Sequence, residues 1–370
     1  MKLIASSLIC MLVWPVVSNA QDTPARGRLA ALFVATRGVD SLPADPKMNV
    51  PAQDSKAPKD RRIDSLTRIR MADSVKKAVI VDALLKNPNL RPAMISTTFI
   101  GRGQLEGNFR GQNILSGNFV QRRTDALLNL PVKNWGKNGM VTATVYYVRT
   151  NYELSDIKGA EVKDANPSKN TVGLTTTYRR IDSLFGRMFI SSARLILMTG
   201  DGGGVNKYTV MVNGMFLLKK TATTTFMLGA QVIYDPTVNM PVVPLMVYQK
   251  NLPNGFDLNI TIPQQLTLRK TVSKNMWASF GTTLVSSVSF FNFTSPYVPR
   301  NSNFNSLDLK TGPSVDYKLN KLLLLGVSAG LWTPVMYRQY GRWEKSNHYF
   351  FDGKVDSTPY INVNLSVIPF

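Results

Sequence analysis

Residues Tyr360 to Phe370 read YINVNLSVIPF. In an extended chain successive side chains point to opposite faces, so Ile361, Val363, Leu365 and Val367 share one face while Asn362, Asn364 and Ser366 share the other. Pro369 takes the penultimate position and sets Phe370 out of phase with the apolar series. A strand of this kind needs apolar surroundings on one side and polar surroundings on the other. What covers the apolar side decides the fold.

The same period of two returns throughout residues 92–370. Phe256, Leu258, Ile260 and Ile262 alternate with Asp257, Asn259 and Thr261, and Phe226, Leu228, Ala230 and Val232 alternate with Met227, Gly229 and Gln231. Val141, Ala143, Val145 and Tyr147 oppose Thr142, Thr144 and Tyr146, and Leu323, Leu325, Val327, Ala329 and Leu331 oppose Gly326, Ser328 and Gly330. In water such faces would meet in the core of a sandwich; in a bilayer they would face lipid, with the polar faces lining a lumen.

Two patterns favour lipid. Tight connections at Lys219–Thr223, Asn251–Gly255, Ser273–Asn275 and Asn320–Lys321 alternate with longer polar stretches at Asn151–Thr171, Thr199–Lys207, Ser289–Ser306 and Gly341–Pro359, and barrels of the outer membrane have short turns at one rim and long loops at the other. Aromatic residues also gather near strand ends, at Trp135, Tyr208, Tyr234, Tyr248, Trp277, Tyr317, Trp332 and Tyr360, where an interfacial girdle would place them. Fourteen strands fit between Met94 and Phe370, or twelve if the polar first segment and the break at Pro263–Gln265 are discounted. An even number suits a bacterial single-chain barrel.

The start of the chain is of another kind. Lys2, an apolar run from Leu3 to Val17 and the small residues Ser18-Asn19-Ala20 form the layout of a cleaved secretory signal over residues 1–20. Cys10, the sole cysteine, lies within it, so the exported protein would hold no disulfide, thiol nucleophile or thiolate metal site. No later stretch approaches the roughly 18 apolar residues of a spanning helix. A membrane protein with this sequence would therefore be a closed barrel.

Residues 21–91 read as a periplasmic leader. Pro24, Pro43, Pro46, Pro51 and Pro58 punctuate a polar linker, and then Ile63, Leu66, Ile69, Val75, Val79 and Leu84 recur near helical spacing. This predicts an amphipathic helix near residues 61–86, stopped at Asn87-Pro88, that plugs the lumen, docks a periplasmic partner or is merely solvated. The leader holds 14 Lys or Arg against 8 Asp, so most of the formal charge of +21 belongs to the remainder. A basic barrel seeks anionic lipid head groups or anionic solutes. Nucleic acid is not indicated, since no recognition motif accompanies the charge.

The order of an Asp235-Pro236 loop, a Pro244-Leu-Met-Val-Tyr strand, a turn and a Phe256-Asp-Leu-Asn-Ile-Thr-Ile-Pro263 strand resembles a family of uncharacterised outer-membrane β-barrel proteins of Gram-negative bacteria. The aromatic end of the final strand is similar to the closing strand of such barrels. The resemblance implies the barrel and its location, and no activity.

Catalytic chemistry has little to build on. His348 is the single histidine, beside Ser346 and Asn347 on one loop, and adjacent loop residues do not converge as a triad must. Thr199-Gly-Asp-Gly-Gly-Gly204 lacks the Lys-Ser/Thr of a phosphate loop. Asp201 with Asp235 as a calcium pair is a weak alternative to a plain surface loop, and no metal site or cofactor is otherwise implied. Strand parity points Arg194, Arg269 and Lys318 inward, with Asp257 and Asp316 as acidic counterparts, and basic residues lining a pore favour anions. The same charges could instead pair and fill a closed barrel. The expectations are a passive channel or small-solute transporter with anion preference, a non-transporting structural or binding barrel, or, least supported, a lipid-modifying enzyme using His348.

Overall fold

The two-faced segments become strands of a single sheet. The computed structural model describes residues 80–135, 139–158, 167–239, 241–294 and 297–368. The predicted signal, the linker and residues 61–79 of the predicted helix lie outside them, as do Pro369 and Phe370. The strands are β1 (Ala93–Phe109), β2 (Gln112–Asn134), β3 (Met140–Lys158), β4 (Ser168–Leu184), β5 (Arg187–Gly200), β6 (Lys207–Lys220), β7 (Thr224–Tyr234) and β8 (Val242–Asn251). They continue with β9 (Phe256–Ile262), β10 (Gln265–Ser273), β11 (Met276–Asn292), β12 (Asn301–Lys318), β13 (Leu323–Gly341), β14 (Tyr349–Val355) and β15 (Thr358–Val367).

Neighbours pair antiparallel, and β15 pairs with both β13 and β1, so the sheet returns upon itself. β14 also lies between β13 and β1, farther along the same line. β14 and β15 are thus one stave interrupted at Asp356–Ser357, and the ring has fourteen staves. No helix among the described residues is long and apolar enough to cross a membrane; the sheet itself is a closed barrel.

The register at closure matches like with like. Ile361 stands opposite Phe99, Val363 opposite Thr97 and Leu365 opposite Ile95, and Ile95, Phe99, Ile361, Val363 and Leu365 are all exposed on the outside. Inside, the Asn362 amide donates to Ser96 Oγ (2.6 Å) and Thr98 Oγ1 (2.9 Å). The apolar face therefore points out of the ring and the polar face into it. A sandwich would have the apolar faces meeting inside.

Several boundaries differ from the sequence expectation. β2 starts at Gln112 directly after a tight turn, where Arg110 and Gly111 both take positive φ (48° and 86°), a pairing that suits the twist of a two-residue hairpin. β3, β4, β11 and β12 run well into the polar stretches expected to be loops, and β14 occupies part of Gly341–Pro359. Strands that continue beyond the apolar belt have water outside, so their sequence loses the alternation that marks the spanning part.

The interior also departs from a uniformly polar lining. Ile190, Ile196, Met198, Met211, Met215, Met227, Val243, Leu245 and Val247 face inward from β5–β8 and are buried. Trp332, Trp277 and Tyr360, expected in the girdle, are buried inside as well. Trp277 is covered at the near rim by Leu84 and Leu85, whereas the apolar lining of β5–β8 follows from the hairpin of β9 and β10, which at 7 and 9 residues is shorter than its neighbours. β10 accompanies β11 only as far as Gln265 opposite Thr283. Beyond that point β11 crosses the lumen: the Val288 carbonyl accepts from Thr171 Oγ1 of β4 (3.0 Å), and Phe290 lies against Gly200 of β5, where an added Cβ would come within 2.9 Å of it. Nearby, Phe119 of β2 stacks on Trp332 of β13 at 6.1 Å, Tyr152 meets Phe304 at 6.0 Å, and Tyr337 donates to Gln121 (3.3 Å). This end of the barrel is filled by its own walls.

Candidate functional site

The opposite end is occupied by the segment that precedes β1. Residues 80–86 are helical, and Leu84 and Leu85 pack with Trp277, Leu324 and Ile368 inside the mouth. Pro88–Leu90 form a single 3-10 turn, after which Arg91 is fully enclosed. Its guanidinium donates to Asn364 Oδ1 (3.1 Å), Ser366 Oγ (2.9 Å) and the Leu84 carbonyl (3.3 Å), and Nη2 lies 3.5 Å from Asp316. Lys86 joins the segment to the wall by a 3.6 Å contact with Asp257 while also pairing with Asp82 at 2.7 Å.

Between this segment and the aromatic packing lies a chamber of about 290 Å³, with an adjoining space of about 140 Å³ that shares Pro88, Gln265, Thr267, Thr283, Ser314 and Asp316. Arg91, Arg123, Lys310, Asp125 and Asp316 line the first, and Lys86, Arg269, Asp257 and Asp316 the second. Cations outnumber carboxylates. Arg123 is held along its own strand by Asp125, with Nη2 to Oδ1 at 2.7 Å and Nε to Oδ1 at 2.8 Å. Lys310 donates to Thr98 Oγ1 (3.1 Å) across the interior.

Several lining groups have hydrogen-bonding capacity left over, Gln249 Nε2 among them. Both amide atoms of Gln264, Nε and Nη1 of Arg269, and Oδ1 of Asn259 are buried without a hydrogen-bond partner. Arg269 rests 5.5 Å over the Trp277 ring. Buried polar atoms without partners are costly, and a small solute with acceptor oxygens would satisfy the Arg269 guanidinium in the second space or the Gln264 Nε2 in the first.

The predicted inward residues divide in two. Asp257, Asp316 and Arg269 converge on the chamber and on the inserted segment. Arg194 faces inward but lies apart, donating to Thr177 Oγ1 at 3.3 Å, and Lys318 is half-buried close to the rim. Arg91, Arg123, Asp125 and Lys310 were missed. For Lys310 the signal was present, because the alternation that turns Asp316 inward on β12 does the same for Lys310; for Arg123 and Asp125 the signal was an opposite-charge pair two residues apart.

The loop chemistry considered in the sequence is otherwise engaged. Asp235 bonds Lys207 (3.2 Å), Thr209 (2.6 Å) and Thr237 (2.8 Å), whereas Asp201 bonds Asn170 (2.6 Å), so the two aspartates serve different loops. Ser346 Oγ accepts from Asn239 (3.0 Å), and His348 is exposed. Among the described residues no group of three metal-ligating side chains forms.

The sequence profile of the family described as "Domain of unknown function (DUF6268)" matches residues 93–368. No curated protein matches the sequence. Among solved structures, the COG4313 outer membrane channel from Pseudomonas putida F1 is similar at 10% identity over 75% of this chain and 96% of that chain, with a TM-score of 0.33. A Pseudomonas aeruginosa FadL homologue is similar at 9% identity over 78% and 94%, with a TM-score of 0.36. The β domain of the Bordetella autotransporter BrkA is similar at 12% identity over 76% and 100%, with a TM-score of 0.30. Likeness at this level carries no functional inference.

Proposed function

The chain belongs to the DUF6268 family, whose description assigns no activity, and we propose from the barrel itself that it is an outer-membrane channel or transporter, closed in this structure, that passes a small anionic solute through the chamber. Support for the membrane is the outer surface. Ile95, Leu128, Leu195, Val212, Leu266 and Val315 are exposed on strands all round the ring, a larger apolar surface than soluble monomers present. A closed sheet also satisfies the requirement that backbone polar groups in hydrocarbon be paired within the protein.

The observation that carries the solute is the cation excess of the chamber together with the unsatisfied Arg269 guanidinium and Gln264 amide. One end is shut by a short inserted segment, which can leave without breaking the ladder of the wall, and the other by aromatic contacts and by β11, whose Val288 carbonyl accepts from Thr171 across the lumen. The test is single-channel recording of the full-length chain and of a chain lacking residues 21–91, with insertion verified by heat-dependent gel mobility. The full-length chain is expected to be largely silent and the shortened one to conduct with anion preference. A shortened barrel that inserts and remains impermeable overturns the proposal.

The cross-lumen packing of Phe119, Trp332 and Tyr337 favours a second reading, a binding barrel that never opens. It predicts silence from both chains together with saturable binding of an anion.

A further inference from the structure

Each hairpin turn at the rim shared by Ala93 and Val367 carries an exposed cation. Lys133 stands at the β2–β3 turn, Arg187 at β4–β5, Lys219 at β6–β7, Lys250 at β8–β9, Lys274 at β10–β11 and Lys321 at β12–β13. Among the described residues the outward acid of the strands at this rim is Asp182, paired with Arg180 at 2.9 Å, and Asp82 of the inserted segment, exposed at the same mouth, is paired with Lys86 at 2.7 Å. Asp257 and Asp316 point inward to the chamber. The opposite rim is different: exposed Glu106, Glu153, Asp156, Asp201, Glu344 and Asp356 offset its basic residues. The positive charge of the barrel's exterior is therefore concentrated at one end.

A second observation fixes the depth of these cations. Lys133 lies 5.1 Å over the Trp135 ring, and Lys270, pointing outward near the same rim, lies 4.9 Å over the Phe256 ring. Trp135 also meets Tyr178 edge-on at 6.4 Å, and Phe226 meets Tyr248 at 6.3 Å. Aromatic residues settle where hydrocarbon meets water, and lysine stems lie along apolar surface while their ammonium groups reach the head groups. The pairs set Lys133 and Lys270 at head-group level, and the other turn cations stand at the same rim around the circumference.

We infer that this rim is an anchoring surface for anionic phospholipid head groups, in the leaflet that the short turns occupy. The inference rests on the reading of the barrel as a membrane protein, and it adds a lipid preference and a direction to that reading. A ring of single cations, one per turn, matches separate phosphate-bearing head groups packed around a barrel, whereas an acidic protein would be met by a patch on one side. Near an anionic leaflet each Lys or Arg contributes a favourable factor of roughly fivefold in partitioning, and the attraction weakens as salt is raised.

The experiment places the full-length chain in vesicles of equimolar phosphatidylcholine and phosphatidylglycerol and measures, with spin-labelled lipids, which of the two is immobilised at the barrel surface. The expected result is an enrichment of phosphatidylglycerol of about 2- to 5-fold that collapses as salt is raised. It should be lost in the variant carrying Lys133→Gln, Arg187→Gln, Lys219→Gln, Lys250→Gln, Lys274→Gln and Lys321→Gln. Should that variant fail to insert, the salt titration of the unaltered chain decides. Equal association of both lipids with an inserted barrel overturns the inference, as does an enrichment that is indifferent to salt. A chain that inserts into neither lipid overturns the membrane reading itself, so the two failures are distinct.

Discussion

Arg91, the last charged residue before the barrel, places its guanidinium 3.5 Å from the carboxylate of Asp316, on β12 and 225 positions later in the chain. The pair fastens the inserted segment to the wall from inside, with Asn364 and Ser366 taking further hydrogen bonds from the same group. Arg91→Ala leaves the carboxylate without its partner, and breaking a buried pair costs about 3–5 kcal/mol. Hydrogen exchange over residues 80–91 should rise by orders of magnitude while the strands stay protected, and openings should appear in single-channel records. Asp316→Asn should do the same more mildly, since the remaining Arg91 contacts persist.

The two cations that set the chamber's charge differ in how they are held. Arg269 has unsatisfied nitrogens, whereas Lys310 is bonded to Thr98. Arg269→Gln strips no hydrogen bond but removes the cation over Trp277 and a counter-charge facing Asp257 and Asp316, so stability should fall by about 0.5–3 kcal/mol. In the chain lacking residues 21–91, the reversal potential under a salt gradient should move toward zero for Arg269→Gln and for Lys310→Gln, and further for the two together. An unchanged potential would mean that ions pass elsewhere.

Trp332 is fully buried and stacks on Phe119 across the lumen. Truncating a buried Trp to Ala costs about 3–5 kcal/mol. Because those contacts close one end of the barrel, Trp332→Ala should lower the temperature of the heat-dependent gel shift and raise conductance in the background lacking residues 21–91. A lowered transition with unaltered conductance would assign the stack to stability alone.

The loop that follows β7 can be read by pH. Burial pushes the Asp235 carboxyl upward, but the Lys207 ammonium and the donors Thr209 and Thr237 outweigh it and hold the group below the usual carboxylate value. A depressed folded value means that the contribution is complete above the unfolded value of about 3.9 and is lost as pH falls through the folded one. The 235–241 loop, tied to the β13–β14 loop by the Ser346 amide donating to the Thr237 carbonyl at 3.0 Å, should resist limited proteolysis from neutral pH to about 5 and yield below about 4. Asp235→Asn should be cleaved at neutral pH and show no step.

The spanning part of the fold was legible because each strand there faces two solvents of opposite polarity. YINVNLSVIPF and FDLNITI announce their outward faces at once, and the side chains that point in can be named by parity. The chamber was half legible for the same reason: Asp257, Asp316 and Arg269 follow from alternation. What alternation cannot convey is contact across the lumen. Trp277 stands at the start of β11 as a girdle residue would, and its burial depends on Leu84 and Leu85 of the inserted segment; Trp332 lies in the middle of β13, and its burial depends on Phe119 and Tyr337 reaching it inside the ring. Arg91 sits outside any periodic stretch, and its role arises only when residues 93 and 367 come together.

That meeting also governs how the molecule can be made. β1 pairs with β15 from Ala93 opposite Val367 to Ile100 opposite Tyr360, so the first strand synthesised waits for the last. Until residues 358–367 arrive, β13 and β1 are joined only through the short β14 and the rest of both edges is unpaired, of the kind that recruits other chains, and closing so long a loop is slow compared with forming any single hairpin. Folding therefore finishes in one late step that no truncated chain can take. A protein lacking its final ten residues should accumulate with a long unpaired gap between β13 and β1, bridged only by β14 and prone to aggregate, however sound its other hairpins.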